Sequence, residues 1–199
     1  MNILPALQQD LPEILALQRA AFAAEAQLVN DWNIPPLTQT LEELAEDWRK
    51  GIMLKAQSGQ GALVGTVRGH AAQDGYYIGR LAVLPQWQGK GVGSALLEAI
   101  IDQAHALAKP TGKPEGKAQT QAQPHANNPT EWRDQGHVPG HVPGQAEGHG
   151  QCMTGPARCV LFTSTKSEGN LRLYERFGFR PFKKSTTATG VALVWLERV

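Results

Sequence analysis

Cysteine is scarce in this chain, since Cys152 and Cys159 are its only two among 199 residues. A secreted fold held by disulfides would carry more, so we expect a reducing compartment, the cytoplasm, although the two could still pair. The N-terminal residues lack a basic stretch before an unbroken apolar run, because Asp10 and Glu13 interrupt it, so we expect no signal peptide. Apolar runs are too short to cross a bilayer, and we expect no membrane partner.

An excess of either charge is also missing, because 19 Lys and Arg residues face 18 Asp and Glu residues, for a formal net charge of +1. The chain therefore lacks the basic footprint of a nucleic-acid binder and lacks an acidic field. Its length suits one domain, which can bury a core without disulfides or metals. We accordingly expect a single domain over residues 1–199, a small partner and no nucleic acid.

Large apolar side chains nearly vanish from residues 109–156, where glycine, proline, glutamine and histidine dominate and the sequence HVPG occurs twice in tandem. Such a segment cannot offset its ordering entropy by burial, so we expect a mostly disordered insertion. It contains four of the six histidines, and His137 and His141 have the spacing of a helical metal site. Because Pro139 and Gly140 break any helix between them, we expect no metal, and metal binding by the insertion is a lesser alternative.

Outside the insertion, apolar residues recur with the periods of both strands and helices, which predicts a mixed α/β fold. The predicted strands cover residues 3–7, 52–56, 62–70, 76–83, 158–165, 179–186 and 191–197. The predicted helices are one capped by Asp10, one over 41–50 capped by Thr38 or Thr40, and two over 91–108 and 170–177. Short glycine-bearing connections between the three central strands favour an antiparallel meander.

A glycine-rich turn follows the third central strand, where residues 81–94 read LAVLPQWQGKGVGS. Glycines let backbone N–H groups approach an anion, and the next helix directs its positive end to the same place. A P-loop needs Lys-Ser/Thr after its last glycine, and a dinucleotide fingerprint needs G-x-G-x-x-G, so Gly89, Gly91 and Gly93 fit neither. The turn therefore predicts a diphosphate site of another kind.

The run Gln88-Gly89-Lys90-Gly91-Val92-Gly93, preceded by Leu81-Ala82-Val83, resembles the acetyl-coenzyme A signature Gln/Arg-x-x-Gly-x-Gly/Ala of the GNAT N-acetyltransferase superfamily. The order of predicted elements resembles that fold, and so does the segment NLRLYERFGF that begins at Asn170. The resemblance covers the chain apart from the insertion. It implies a mostly antiparallel central sheet with one splayed parallel pair and with helices on both faces.

The same resemblance implies that acetyl-CoA is the co-substrate and that a primary amine of a small molecule or peptide attacks its thioester directly, without a metal. Tyr174 matches the acid that protonates the leaving thiolate. The strand before the turn matches the one whose backbone binds the pantetheine arm and polarises the thioester carbonyl. The residues assigned to the cofactor in this way are Leu81, Ala82, Val83, Gln88, Gly89, Lys90, Gly91, Val92, Gly93, Ser94 and Asn170, the last of which could also cap its helix.

The general base has no match, because many relatives carry a glutamate where this chain has Gly79-Arg80. The candidates by position alone are Glu25, Asp31, His70 and Tyr77, and a water chain could serve instead. The sequence does not predict the identity of the acceptor either, although acidic residues in the segment 24–36 suggest a cationic amine. Two alternatives remain: a non-catalytic acetyl-CoA sensor in place of an enzyme, and a homodimer formed through edge strands in place of a monomer.

Deletion of residues 111–150 is expected to leave acetyl-CoA binding nearly unchanged, because a disordered insertion adds nothing to the core. Titration calorimetry on the deleted and full-length chains measures the two dissociation constants. A deleted chain that no longer folds would show instead that the insertion packs against the domain.

Overall fold

The computed structural model describes residues 1–108 and 158–199. The predicted insertion, with Cys152 and its histidines, lies outside these residues. The strands are β1 Asn2–Pro5, β2 Ile52–Gln57, β3 Leu63–Ala72, β4 Gly75–Val83, β5 Cys159–Ser164, β6 Arg180–Thr186 and β7 Ala192–Arg198. The helices are α1 Leu11–Val29, α2 Pro35–Thr38, α3 Leu41–Lys50, α4 Val92–Ala108 and α5 Glu168–Arg176.

Local polar contacts explain where the observed elements depart from the predicted ones. The first strand ends at Pro5, two residues early; the Ala6 N–H still donates to the Met53 carbonyl of β2 at 2.8 Å, and the Leu7 N–H donates to the Asp10 carboxylate at 2.7 Å. Asp10 therefore makes no side-chain cap for α1. Thr40, and not Thr38, caps α3 in a reciprocal capping box with Glu43.

Two further differences concern helices that the sequence patterns misplace. The four-residue helix α2 lies in a segment predicted as a loop, and it begins with a proline, whose fixed φ suits a first helical turn. Helix α5 begins at Glu168, two residues before the predicted start, with Ser167 in the cap position. Asn170 therefore lies inside the helix and does not cap it, which corrects that prediction.

The seven strands form one sheet in the order β1-β2-β3-β4-β5-β7-β6. Every neighbouring pair is antiparallel except β4 and β5, which are parallel. The mixed α/β prediction, the antiparallel meander of β2 to β4 and the single parallel pair are thus confirmed. A parallel pair needs a crossover connection, and the chain passes through α4 on its way from β4 to β5.

Helices cover both faces of the sheet and separate its core into two clusters. On one face, Leu96, Leu97 and Ile100 of α4 are fully buried against Val64 and Val67 of β3. On the other face, Ile14 and Leu17 of α1 and Leu44 of α3 pack against Met53 of β2 and Ala82 of β4. Each buried Leu or Ile contributes about 1.5–3 kcal/mol, so α4 is anchored strongly behind the glycine turn that starts it.

Polar groups fix the helices of the second face at definite positions. Arg68 of β3 contacts Asp47 of α3 at 2.7 Å, and Gln39 donates to the same carboxylate at 2.6 Å. Gln18 of α1 donates to Gln39 at 3.0 Å, so α1, α3 and β3 share one buried network. Buried polar side chains tolerate few alternative partners, and the network therefore specifies where α1 lies on the sheet.

A second buried contact joins Lys55 of β2 to Asp10 at 2.6 Å, with side chains 9% and 14% exposed. Burial alone raises the pKa of Asp10, but the hydrogen bonds from Lys55 and from the Leu7 N–H outweigh burial and hold that pKa below its usual value. A lowered carboxyl pKa stabilises the fold above the unfolded pKa of about 4, and this stability is lost as the pH falls through the folded pKa.

Lys55→Met is expected to cost about 3 kcal/mol at pH 7, because it leaves the buried Asp10 carboxylate without its counter-ion. Urea unfolding at pH 7 and pH 3 measures the loss, which should shrink at pH 3, because without Lys55 the buried carboxyl of the variant takes up a proton there. Lys50→Met is the matched control: its pair with Glu46 is exposed (49% and 60%), and breaking it should cost under about 1 kcal/mol. Equal losses for the two variants would contradict the prediction.

Candidate active site

Strands β4 and β5 pair at only two positions, Tyr76 with Cys159 and Tyr77 with Val160. Beyond these pairs β4 continues to Val83 and β5 to Ser164, without a register between them. The two strands therefore separate in the direction of the glycine turn. The gap between them has a strand edge on each side, and strand edges carry backbone groups that can bind an extended ligand.

A β-bulge in β4 lies where the strands separate. The register against β3 pairs Thr66 with Ala82 but Arg68 with Gly79, so one residue more lies on β4 than on β3 in this interval. The additional residue allows Arg80 to adopt a φ of 51°, which is rare outside glycine. The bulge bends β4 and changes which of its backbone groups face the gap.

The direction of the backbone groups after the bulge follows from one hydrogen bond. The Leu84 N–H donates to the Val64 carbonyl of β3 at 3.0 Å. Because successive N–H groups along a strand point to opposite sides, those of Leu81 and Val83 point away from β3 and into the gap. These N–H groups are suitable donors for an extended chain that carries amide or carbonyl oxygens.

The glycine turn connects the open end of this gap to α4. Gly89 and Gly91 have φ values of 72° and 82°, a region that glycine reaches without strain. Added Cβ atoms would meet nothing within 4 Å at either position, so the need for glycine is conformational and not steric. Helix α4 begins directly afterwards at Val92, and the first cap bond runs from the Ala95 N–H to the Gly91 carbonyl at 3.0 Å.

Backbone N–H groups collect at this end of α4. Within the described residues, those of Val92, Gly93 and Ser94 donate to no protein acceptor, as expected for the first turn of a helix. They add to the positive end of the dipole of a 17-residue helix. The turn can therefore bind a phosphate or diphosphate through backbone groups alone.

Two side chains of the turn contact their own chain. Gln88 donates through its side-chain amide to the Val83 carbonyl at 3.1 Å, which ties the turn to the end of β4. The Lys90 ammonium lies 5.1 Å from the centre of the Trp87 ring. Lys90 is exposed, so its charge is available at the surface of the turn without being buried.

Helix α5 presents Tyr174, whose side chain is 7% exposed, next to the edge of the Phe179 ring at 6.2 Å between centroids. Burial raises the pKa of Tyr174 well above its usual range, and the charge of Glu25 raises it further. The phenol is therefore neutral at physiological pH and keeps its proton. Asn170 lies one turn earlier and donates to the Thr163 hydroxyl of β5 at 3.3 Å, which links α5 to that strand.

Two of the four base candidates lie at the paired end of β4. The Tyr77 hydroxyl donates to the Asp74 carboxylate at 2.9 Å. Burial, and to a smaller extent this hydrogen bond, raises the pKa of Tyr77, so its hydroxyl stays protonated. His70 stacks on Tyr77 at 5.6 Å between ring centroids. Burial and the charge of Arg68 lower the pKa of His70, which is therefore mostly neutral at pH 7.

The other two candidates lie on and after α1. Asp31 accepts a hydrogen bond from the Asn33 N–H at 2.9 Å, which stabilises the turn after the helix. Glu25 accepts a hydrogen bond from the Ser167 hydroxyl at the start of α5. The structure thus brings Glu25 to the helix that carries Tyr174. Sequence reasoning missed Ser167, and the only signal was a serine near the start of a predicted helix.

The protein has a small polar cavity beside these groups and a larger one at the far edge of the sheet. The small cavity, of about 150 Å³, lies between the end of α1, the end of β5 and the β6–β7 turn. Its lining residues are Val29, Ser164, Thr165, Lys166, Thr189, Gly190, Val191 and Ala192. The larger cavity, of about 480 Å³, lies among β1, β2, α3 and α4, and it has no titratable side chain in its lining.

Two kinds of feature are absent from the described residues. No helix among residues 1–108 and 158–199 combines the length and apolar character that a membrane span requires. In the same ranges, no three side chains of His, Cys, Asp or Glu come together as a metal site would need.

Residues 11–111 match the sequence model of the acetyltransferase (GNAT) family. Among solved structures, the chain is similar to a ribosomal-protein-alanine N-acetyltransferase from Brucella melitensis, with 16% identity, a TM-score of 0.61, and coverage of 100% of this chain and 99% of that one. It is also similar to a phosphinothricin acetyltransferase from Sinorhizobium meliloti in complex with acetyl-CoA, with 15% identity, a TM-score of 0.60, and coverage of 99% and 86%. At identities this low, the structural similarity shows a shared fold and nothing more. A comparison with curated protein sequences gives no match.

Proposed function

Because the chain belongs to the acetyltransferase (GNAT) family, an acyltransferase family, we propose that it transfers the acetyl group of acetyl-CoA to a primary amine by direct attack. The observation that carries the proposal is the gap between β4 and β5, which ends at the free N–H groups of α4. An extended thioester with a diphosphate at one end has the shape and charge that such a gap can bind. The acceptor belongs to a small molecule or a protein.

The residues proposed to hold acetyl-CoA divide into two groups. The first group lies around the diphosphate, and its members are Gln88, Gly89, Lys90, Gly91, Val92, Gly93 and Ser94. The N–H of Gln88 already donates to the Pro85 carbonyl at 3.2 Å, so the other six members bind the diphosphate through their backbone N–H groups. The second group faces the pantetheine arm, and its members are Leu81, Ala82, Val83 and Asn170. In the second group, the N–H groups of Leu81 and Val83 are the donors that point into the gap. No metal is part of the proposal.

Tyr174 is the proposed catalytic acid. As the amine nitrogen forms its bond to the acetyl carbon, the N–H of Leu81 or Val83 stabilises the negative charge that develops on the carbonyl oxygen. The carbon–sulfur bond then breaks, and the departing sulfur takes the proton of Tyr174. The attacking nitrogen loses a proton in the same step, and this proton returns to the tyrosinate through solvent. The products are an acetylated amine and coenzyme A.

The proposal extends to organisation and location. Residues 1–199 form one catalytic domain with an insertion at about 109–156, since the matched residues 11–111 continue into the same sheet as β5 to β7. Strands β1 and β6 form the two edges of that sheet, which supports a homodimer through edge pairing. The buried, unreactive position of Cys159 suits a reducing compartment such as the cytoplasm.

Gly91→Asp is expected to weaken acetyl-CoA binding at least about tenfold, because it strains a backbone with positive φ and sets a carboxylate beside the diphosphate. Calorimetry gives the dissociation constants, and release of free thiol across a panel of amines gives the activity. Gly61→Asp is the matched control: Gly61 has a φ of 84° and equally open surroundings, but it lies in the β2–β3 turn. If wild type neither binds acetyl-CoA nor releases thiol with any amine, the proposed function fails.

Tyr174→Phe is expected to lower kcat about 10²–10⁴-fold, because the ring and its packing remain while the proton donor is lost. The dissociation constant of acetyl-CoA should not change. Tyr77→Phe removes a hydroxyl whose pKa is also raised, at the paired end of β4, and it should keep kcat within about threefold. Unchanged kcat in Tyr174→Phe would contradict its role as the acid. A wild-type chain that binds acetyl-CoA but acetylates no amine would favour the sensor alternative.

A further inference from the structure

Glu25 of α1 contacts Ser167, the residue just before α5, although 142 positions separate the two in the sequence. The Ser167 hydroxyl donates to the Glu25 carboxylate, although a serine in this position usually caps its own helix. Ser167 is 6% exposed, so the donor is held in place by its surroundings. The bond therefore fixes the orientation of a half-buried carboxylate.

Helix geometry relates this carboxylate to the proposed acid. Ser167 and Tyr174 are seven residues apart, which is about two turns and about 10 Å along the axis, on the same face of α5. Long side chains in helices lean toward the N-terminus, so the tyrosine extends toward the turn where Ser167 holds Glu25. The effect of Glu25 on the pKa of Tyr174 agrees with this placement. The hydroxyl of the proposed proton donor, Tyr174, thus extends toward the oriented carboxylate of Glu25.

The small polar cavity opens beside the same carboxylate. Val29, which lines the cavity, follows Glu25 by one turn of α1 and therefore lies on the same helix face. Ser164 to Lys166, also in the lining, lead directly to Ser167. The cavity thus lies one helical turn from Glu25 and next in sequence to Ser167, although neither residue lines it. Lys166, the cation in the lining, is exposed, so solvent screens its charge more than that of Glu25.

We propose that Glu25, oriented by Ser167, receives the protonated amine of the acceptor, which makes this enzyme selective for cationic acceptors. This inference rests on the proposed function. The carboxylate attracts the ammonium group and accepts one of its protons, so that the neutral amine can attack the acetyl carbon. The carbon–sulfur bond breaks as described above, and the proton on Glu25 leaves to solvent. Glu25 touches the reacting nitrogen and is catalytic, whereas Ser167 acts through Glu25 and is a positioning residue.

The test needs no knowledge of the natural acceptor. S-(2-aminoethyl)-coenzyme A places an ammonium group close to the position of the attacking nitrogen, and S-propyl-coenzyme A is its uncharged analogue of similar size. Wild type is expected to bind the cationic thioether about tenfold more tightly than the neutral one. Glu25→Gln should abolish this preference and leave the affinity for S-propyl-coenzyme A unchanged, which also shows that the variant is folded.

Three further variants separate an effect of position from an effect of charge alone. Glu13→Gln removes an exposed carboxylate from the same helix, and it should keep the preference for the cation. Ser167→Ala should reduce the preference because the carboxylate loses its donor, and Ser167→Thr should restore it. Ser167→Ala also serves as the test if Glu25→Gln does not fold.

Two results would overturn the inference, and they differ from the result that overturns the proposed function. The role of Glu25 is wrong if wild type binds both thioethers equally, or if the preference survives in Glu25→Gln. Acetyl-CoA binding itself is in doubt only if wild type binds neither thioether.

Discussion

The separation of β4 from β5 after only two paired positions is the constraint on which the rest of the site depends. A fully paired parallel ladder would satisfy every backbone group of both strands and leave no room for a ligand. The separation instead exposes N–H groups of β4 in the middle of a sheet, where helices and neighbouring strands hold them rigidly. Exposed backbone groups inside a stable sheet are unusual, since unpaired groups normally lie at edges.

Three features maintain this separation. The bulge at Arg80 bends β4 away from the direction of β5. The buried face of α4 anchors the turn that receives β4, and the Gln88 side chain ties that turn to the strand end. On the side of β5, Asn170 bonds to Thr163 and keeps α5 against the strand. The gap is therefore bounded by elements that each have their own packing and does not depend on a ligand to exist.

The sequence patterns predict the strand, the turn and the helix of the proposed cofactor side, because that side is contiguous. Strand, glycine turn and helix follow one another in residues 81–94, and each has a local signal in residue type: apolar alternation, glycine spacing and helical periodicity. The positive φ of Gly89 and Gly91 adds a conformational reason for glycine at these two positions. The bulge at Arg80 has no such signal, since an arginine with positive φ is a consequence of register and not of its own preference.

The proposed acceptor side is not contiguous, because the end of α1, the end of β5, the start of α5 and the β6–β7 turn come from distant parts of the chain. No local pattern can reveal that Glu25 meets Ser167, and a sequence rule would assign the serine to a helix cap. The Glu25 carboxylate reaches α5 only because the buried network of Gln18, Gln39 and Arg68 sets α1 on the sheet. Under the proposal, selectivity for the acceptor is thus a property of helix placement, and changes in that network would alter it without touching the residues proposed to face acetyl-CoA.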